Sequence, residues 1–294
     1  MTTYTGSTFS HAAWGSINDA EYRAMGSACD AAITGAGLTT VSTTANWTSD
    51  TIPTTPAGTW GNYSIYKFND GITPEIYLKV QWGRGSITGG AAGQFMIGFQ
   101  ISPDNSNWTT QVFGYFGIAT ADSSMAWDAS FSDSCFVLVM DSSVITASWT
   151  PVFLVVERTR NYSDAANNTG AILLNHCNGI GGAAPAASAQ LQGRRMKCSA
   201  FADASVTNYI SIASGIPGTA PTVVNNIEPI YPTVAYIDEF SWNMRSVLNV
   251  SNAVVGTLSQ LTATVNGTTR TYRTTRSTAT SMSASGYRLA YRWE

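Results

Sequence analysis

The sequence predicts a mainly β protein: an antiparallel β-sandwich, jelly-roll-like, with one N-terminal α-helix. Three observations carry this. Tyr63–Gly85 holds two runs that alternate apolar and polar residues around an Asn69-Asp70-Gly71 turn with Pro74, the period of half-buried strands. Turn chemistry recurs about every ten residues along the chain, as in sandwiches and barrels. Only Ser16–Gly37 has helical spacing, so no helix-length segments separate the strands as a parallel α/β sheet would require.

The elements follow in order. Residues 1–15 are polar, with single aromatics at Tyr4, Phe9 and Trp14, and read as an extended arm lying on a neighbour or on the domain itself. In Ser16–Gly37, Asn18 is the expected N-cap and Glu21 completes a capping box. Ile17, Ala20, Ala24, Met25, Ala28, Ala31 and Ala32 are expected to form its buried stripe, and Gly35 and Gly37 to stop it. Gly26 inside the helix costs about 1 kcal/mol relative to Ala, which predicts a close approach there. Leu38–Val41 is expected as a short strand in a loop reaching to Trp60.

In Glu75–Gly83, Ile76, Leu78, Val80 and Trp82 should face the core, and Tyr77, Lys79 and Gln81 the solvent. Gly83–Gly93 reads as a loop, Gln94–Ser102 as an apolar strand, Pro103–Asn107 as a turn and Trp108–Thr120 as a strand. Cys135–Met140 is expected fully buried. Pro151–Arg160 is a strand whose apolar run ends in charge, and Ala171–Leu174 a short strand. Gly179–Ser188 is a low-complexity loop. Phe201–Ala213, Val223–Tyr231 and Val234–Trp242 hold later strands. Asn266-Gly267 marks a hairpin, and Tyr287–Trp293 a closing strand with one aromatic face. The domain reading is an arm at 1–15, a helix plus sandwich at 16–178, and a β-rich region at 179–294 that joins the same sandwich or forms a second small domain.

Composition bounds function. Charged residues are 11% of the chain, against about 25% in ordinary soluble domains; so weakly charged a surface suggests cover by other subunits. The net charge of −3 gives no reason to expect nucleic acid or a membrane. No run approaches a membrane span, and MTTYTGSTFSHAAW lacks the charged and apolar regions of a signal peptide. Cys29, Cys135, Cys177 and Cys198 match no metal or redox spacing and read as buried free thiols. No cofactor is expected.

Sites of chemistry are sparse. His11 lies in the arm. His176 adjoins Cys177, but strand neighbours point to opposite faces and cannot pair as base and nucleophile. Glycoside hydrolysis needs two carboxylates on one cleft; Asp141, Glu157, Asp238 and Glu239 are available, but no pattern organises them, and no catalytic residue is assigned. Arg270, Arg273, Arg276, Arg288 and Arg292 face Glu294 alone after residue 260. With Tyr272, Tyr287 and Tyr291 they resemble a stacking platform for nucleic acid, but on a negative chain the favoured reading is docking to acidic surface on a sister subunit. Trp47, Trp60, Trp108, Trp127 and Trp149 suit either sugar stacking or core filling.

Three stretches carry a resemblance: EYRAMGSACDAAITGAGL (Glu21–Leu38), GNYSIYKFNDGITPEIYLKVQWGRGS (Gly61–Ser86) and FLVVERTRNYSDAANNTG (Phe153–Gly170). In this order and spacing they resemble a family of virion-associated proteins of tailed bacteriophages. The chain departs from that family at Gly89–Gly98, where the family has a longer Gly-rich insertion. The resemblance implies a structural part of the particle, tail, baseplate or fibre-associated, made in the host cytoplasm and not an enzyme. Its partners would be itself, as a homo-oligomer with a trimer among the options, other virion proteins, and in one alternative a host-surface glycan. A capsid decoration protein is the other alternative.

Overall fold

The computed structural model describes residues 2–11, 17–53, 60–84, 95–109, 111–115, 123–142, 152–161, 165–176, 190–197, 204–205, 210–211, 230–237, 240–251, 260–274 and 287–293. These form one helix and three antiparallel sheets. None of the described helical residues forms a span long and apolar enough to cross a membrane.

Residues 2–11 of the expected arm form β1 (Thr2–His11), which pairs along its own chain. The helix α1 (Asp19–Gly35) begins with the expected capping box: the Asn18 side chain accepts from Glu21 N, and Glu21 accepts from Asn18 N. It ends in a Schellman turn. Gly37 (φ 109°) donates to Thr34 O and Leu38 to Ile33 O, the geometry that Gly at positive φ permits.

The buried stripe of α1 differs from the expected one. Tyr22, Met25, Gly26, Ala28, Cys29, Ala32 and Ile33 are buried, whereas Ala20 and Ala24 are exposed and Ala31 is half-covered. Alanine tolerates either side of a helix, so the larger Tyr22, Met25, Cys29 and Ile33, spaced three to four apart, decide which side turns inward. Gly26 has the predicted close neighbour: the Trp47 ring occupies the space a Cβ would need.

The N-terminal sheet runs β2 (Thr39–Thr43), β3 (Trp60–Lys67), β4 (Tyr77–Arg84), β5 (Phe95–Ser102) and β6 (Val112–Tyr115) in sequential order. The central sheet adds β7 (Ser123–Ser132), β8 (Cys135–Ser142), β9 (Val152–Arg160), β10 (Ala166–His176), β11 (Gln190–Lys197), β12 (Ala204–Ser205) and β13 (Ile210–Ser211), with β1 on the outer side of β7. β11 continues this sheet from beyond residue 179, pairing with β10. The C-terminal sheet contains β14 (Ile230–Ile237), β15 (Phe240–Ser251), β16 (Gln260–Val265), β17 (Thr268–Thr274) and β18 (Tyr287–Arg292), ordered β14-β15-β18-β17-β16. The N-terminal sheet, and the central sheet from β7 to β12, are meanders of neighbouring strands, whereas β1 joins β7 from a distant part of the chain. The Greek-key order that a jelly roll repeats occurs among these strands only in β15–β18.

Strands β8, β9 and β10 send alternate residues into two separate cores. Phe136, Leu138, Met140, Leu154, Val156 and Leu173 join α1 and the inner face of the N-terminal sheet. Val137, Val139, Phe153, Val155, Ile172 and Leu174 meet Met244, Val247, Tyr291 and Trp293 of the C-terminal sheet. A sheet covered on both faces reads as continuous apolar sequence, which is why Cys135–Met140 and Val152–Val156 show no alternation. Leu78, Val80 and Trp82 are fully buried on the side expected of them, and Tyr77, Lys79 and Gln81 are partly exposed. On β18, by contrast, Ala290 and Arg292 are buried as well as Tyr291, and so is Trp293 just beyond it, so its non-aromatic face is covered too.

Two hairpins turn through paired positive φ, the type I′ geometry that matches strand twist. Asn266 (φ 50°) and Gly267 (φ 76°) are the expected one. Asp133 (φ 47°) and Ser134 (φ 58°), between β7 and β8, use less permissive residues.

Candidate functional site

The densest polar chemistry among the described residues sits on β9, where all nine residues Val152–Arg160 are buried. The apolar run delivers Glu157, Arg158, Thr159 and Arg160 into the interior rather than to the surface. Glu157 and Arg158 are neighbours on a strand and point to opposite faces. Each meets a different flanking sheet.

Arg158 reaches the β3–β4 turn. Its Nε donates to Asp70 Oδ2 at 2.6 Å, and one terminal nitrogen donates to Asp70 Oδ1 at 3.2 Å, Ile72 O at 3.1 Å and Pro74 O at 2.9 Å. The side chains are 0% and 5% exposed. The turn passes through Gly71 (φ 72°) and contains a cis Thr73–Pro74 bond. Burial pushes the Asp70 carboxyl up, but the Arg158 hydrogen bond and charge outweigh it and hold Asp70 below the usual carboxylate range. A two-pronged guanidinium–carboxylate pair fixes orientation as well as charge.

Glu157 faces the other way. Its carboxylate accepts from Arg245 N and Ser246 N at 3.2 Å and from Ser246 Oγ at 2.6 Å on β15. The Cys135 Sγ lies 3.6 Å from the same carboxylate. Burial, then the nearby Glu157 charge, pushes the Cys135 thiol far up. Cys29 is likewise buried, free and shifted upward, by burial and then by Asp30. Both thiols are therefore held neutral, which removes the reactive thiolate form. Cys177 and Cys198 lie outside the described residues.

A third joint forms at the β7–β8 turn. Asp133 Oδ2 receives Arg292 at 2.9 Å, Arg270 at 3.3 Å and Arg245 at 3.6 Å, while Arg160 donates to Asp133 O. Burial raises the Asp133 pKa, but Arg292 and Arg270 together bring it below the ordinary value. Arg273 pairs with Asp128 at 3.7 Å and lies over the Trp293 ring. Arg270, Arg273 and Arg292 thus meet acidic residues of their own chain. Close packing of β15, β17 and β18 against β7 and β8 supplies the partners. Arg276 and Glu294 lie outside the described residues; Arg288 is on β18.

Of the candidate carboxylates, Glu157 is locked in this network. Asp141 is on β8, and Asp238 and Glu239 lie outside the described residues. An open cleft of about 400 Å³ runs beside the β3–β4 turn, lined by Lys67, Phe68, Asn69, Gly71, Ile72, Thr73 and Glu75. Its one carboxylate, Glu75, accepts from Tyr77 Oη and pairs with Lys67 at 2.9 Å. None of the predicted carboxylates joins it. His11 ends β1 and His176 ends β10. The described residues bring together no three metal-ligating side chains.

The tryptophans divide by position. Trp127 is buried, donates to Met25 O at 3.2 Å and stacks edge-on with Trp82. Trp47 covers Gly26 and donates to Asp30 at 2.6 Å. Trp60 and Trp108 are partly exposed, beside the outer face of the N-terminal sheet. Trp149 lies outside the described residues.

Sequence reasoning missed the partners of Glu157 and Arg158. The available signal was the abrupt switch from VFLVV to ERTR within one strand: a charged run continuing a buried strand needs buried partners. Comparison with family models, curated proteins and solved structures finds no match for this chain.

Proposed function

We propose that the chain is a structural component of a tailed-bacteriophage virion, tail, baseplate or fibre-associated, acting through subunit assembly rather than catalysis. The observation that carries this reading is the Asp70–Arg158 clamp. Asp70 belongs to the FND segment and Arg158 to the ERTR segment, two of the three stretches behind the resemblance, and the clamp joins them. Their polar residues serve to hold sheets together.

We also read the N-terminal and central sheets as the two layers of a sandwich, with the C-terminal sheet stacked on the opposite face. The alternation of β8, β9 and β10 between two cores supports this stacking. Sheet edges provide surfaces for a homo-oligomer, because edge strands keep unpaired backbone donors and acceptors. β2 is an edge strand exposed at all five positions, and its Val41 is 43% exposed.

The test is composition of purified particles. The protein should be present at a copy number on the order of 3–12, as tail symmetry dictates. Hundreds of copies would move it to the capsid as a decoration protein, and absence from the particle would end the reading. The glycan-binding alternative is favoured by one specific feature, the outer face of the N-terminal sheet.

A further inference from the structure

The two faces of the N-terminal sheet carry different chemistry. The inner face is aliphatic and aromatic core. At the centre of the outer face is Lys79 on β4, opposite Ile65 on β3 and Gln100 on β5. Its Nζ lies 4.3 Å from the Trp108 ring centroid and 5.4 Å from that of Tyr63. Among the described residues it forms neither an ion pair nor a hydrogen bond. The ammonium has three donors, and its surroundings leave them unused. Partial burial lowers its pKa, with no charged neighbour contributing.

Amides frame this cation. Gln111 Nε2 donates to Gln81 Oε1 at 2.8 Å, and Gln100 Nε2 donates to Thr109 O at 2.7 Å. These bonds fix the side chains yet leave the Gln81 amino group and the Gln111 and Gln100 carbonyls without a described protein partner. Gly98 on β5, opposite Gln81, has no Cβ, and the Trp60 ring and Gln111 amide occupy that space. Trp60 therefore lies close against the sheet while remaining partly exposed.

Partly exposed aromatic faces suit the C–H faces of a pyranose, and oriented amides suit its hydroxyls. A partly desolvated cation that rests over two aromatic rings but has no carboxylate beside it among the described residues calls for an anionic group, since a charge short of water gains most from an opposite charge. We propose that this outer face binds an acidic polysaccharide. A uronate-type unit would place its carboxylate on Lys79, its ring against Trp108 or Tyr63, and its hydroxyls on Gln81, Gln100 and Gln111. This gives the glycan-binding alternative a location and a ligand class. It does not require the virion reading, because the purified chain suffices to test it.

The experiment measures binding of the purified full chain to polygalacturonate and to dextran, by affinity electrophoresis and calorimetry. Polygalacturonate should bind, dextran should not, and added salt should weaken the binding. Lys79→Met should lose about tenfold or more in affinity, the equivalent of one charge-assisted contact. Lys79→Arg should retain most of it. Trp108→Ala should weaken it several-fold, and Lys67→Met, at the cleft-side ion pair, should leave it unchanged. Circular dichroism and melting confirm that each variant folds. The proposal is overturned by no retention of polygalacturonate at millimolar unit concentration, by equal binding of dextran, or by undiminished binding in folded Lys79→Met. Self-association that depends on Lys79, without glycan binding, would assign the face to a second copy and overturn it too. None of these failures touches the copy-number test in particles.

Discussion

Two ion pairs are built on the same β3–β4 turn under opposite conditions. Asp70–Arg158 has side chains 5% and 0% exposed, whereas Lys67–Glu75 has side chains 33% and 42% exposed. Both carboxyls are held below their ordinary pKa, and the causes differ. For Asp70, burial opposes ionisation and Arg158 overcomes it. For Glu75, the Tyr77 hydroxyl comes first and Lys67 second, with little burial to overcome. The same chemistry is therefore a structural joint in one place and a surface contact in the other. Water decides between them: a buried charge stripped of its partner has no solvent to fall back on.

The largest expected effect comes from breaking the buried pair on one side. Arg158→Met leaves Asp70 buried and unpaired, and should cost about 3–5 kcal/mol, read as the loss of urea-unfolding free energy. Replacing both partners, Arg158→Met with Asp70→Leu, should recover part of that loss. A double variant as damaged as the single one would show that the carbonyls of Ile72 and Pro74, not Asp70, are the chief partners.

Glu157→Gln comes next. It keeps the shape but removes the charge that accepts from Ser246 and the Arg245 amide, and should cost about 1.5–3 kcal/mol. Because Glu157 accepts from the C-terminal sheet through Arg245 N and Ser246, limited proteolysis should cut first within residues 230–293. Cuts appearing first around the β3–β4 turn would contradict the division of labour between the two neighbours.

Gly26→Ala tests the sign of a smaller effect. Helix propensity alone predicts a gain of about 1 kcal/mol. The Trp47 ring over Gly26 predicts instead a net loss of about 1–3 kcal/mol from overpacking. Thermal melting distinguishes them, and a raised midpoint would mean that Trp47 moves aside freely.

Acid dependence follows from the lowered carboxyls. Asp70 and Asp133 have folded pKa values below their unfolded ones. Each contributes stability that is present above the unfolded value of about 4 and is lost as pH falls through the folded value. Asp30 has the opposite sign: burial raises its pKa despite hydrogen bonds from Tyr66, Trp47 and Ser64. Its protonation relieves a cost as pH falls. The denaturant midpoint should therefore decline below about pH 4, and less steeply in the double variant that lacks the Asp70–Arg158 pair. At the exposed pair, Glu75→Gln should leave the melting temperature within measurement error, the smallest effect of the series.

Local rules made the helix ends and several strands legible. Asn18 with Glu21 names a helix start, Asn266-Gly267 names a type I′ hairpin, and alternation over Glu75–Gly83 assigns both faces of β4. Other elements escaped because their signals were weak or shared. β7 is built of small and polar residues around Trp127, with Asp128 buried in it, and β11 reads QLQGRRMK, polar enough to pass for a loop. The Asp133-Ser134 turn lacks the Asn-Gly signature, and tertiary partners hold it: Arg292, Arg270 and Arg245 on the carboxylate, Arg160 on the carbonyl. The helix stripe was misassigned at Ala20, Ala24 and Ala31 because alanine is nearly indifferent to burial.

By itself the sequence determined that this is a mainly β chain with one capped helix, because capping, turn chemistry and period-2 alternation act over a few residues. It also determined that Gly26 needs a close neighbour. Only the tertiary structure decided which neighbour, which sheet each face of β9 grips, and which charges are buried. Those are decided by partners such as Asp70, Asp133 and Ser246, which lie far from β9 or the C-terminal arginines in sequence. No local pattern encodes such a pairing, since the free energy of a charged group is set by whatever replaces its water.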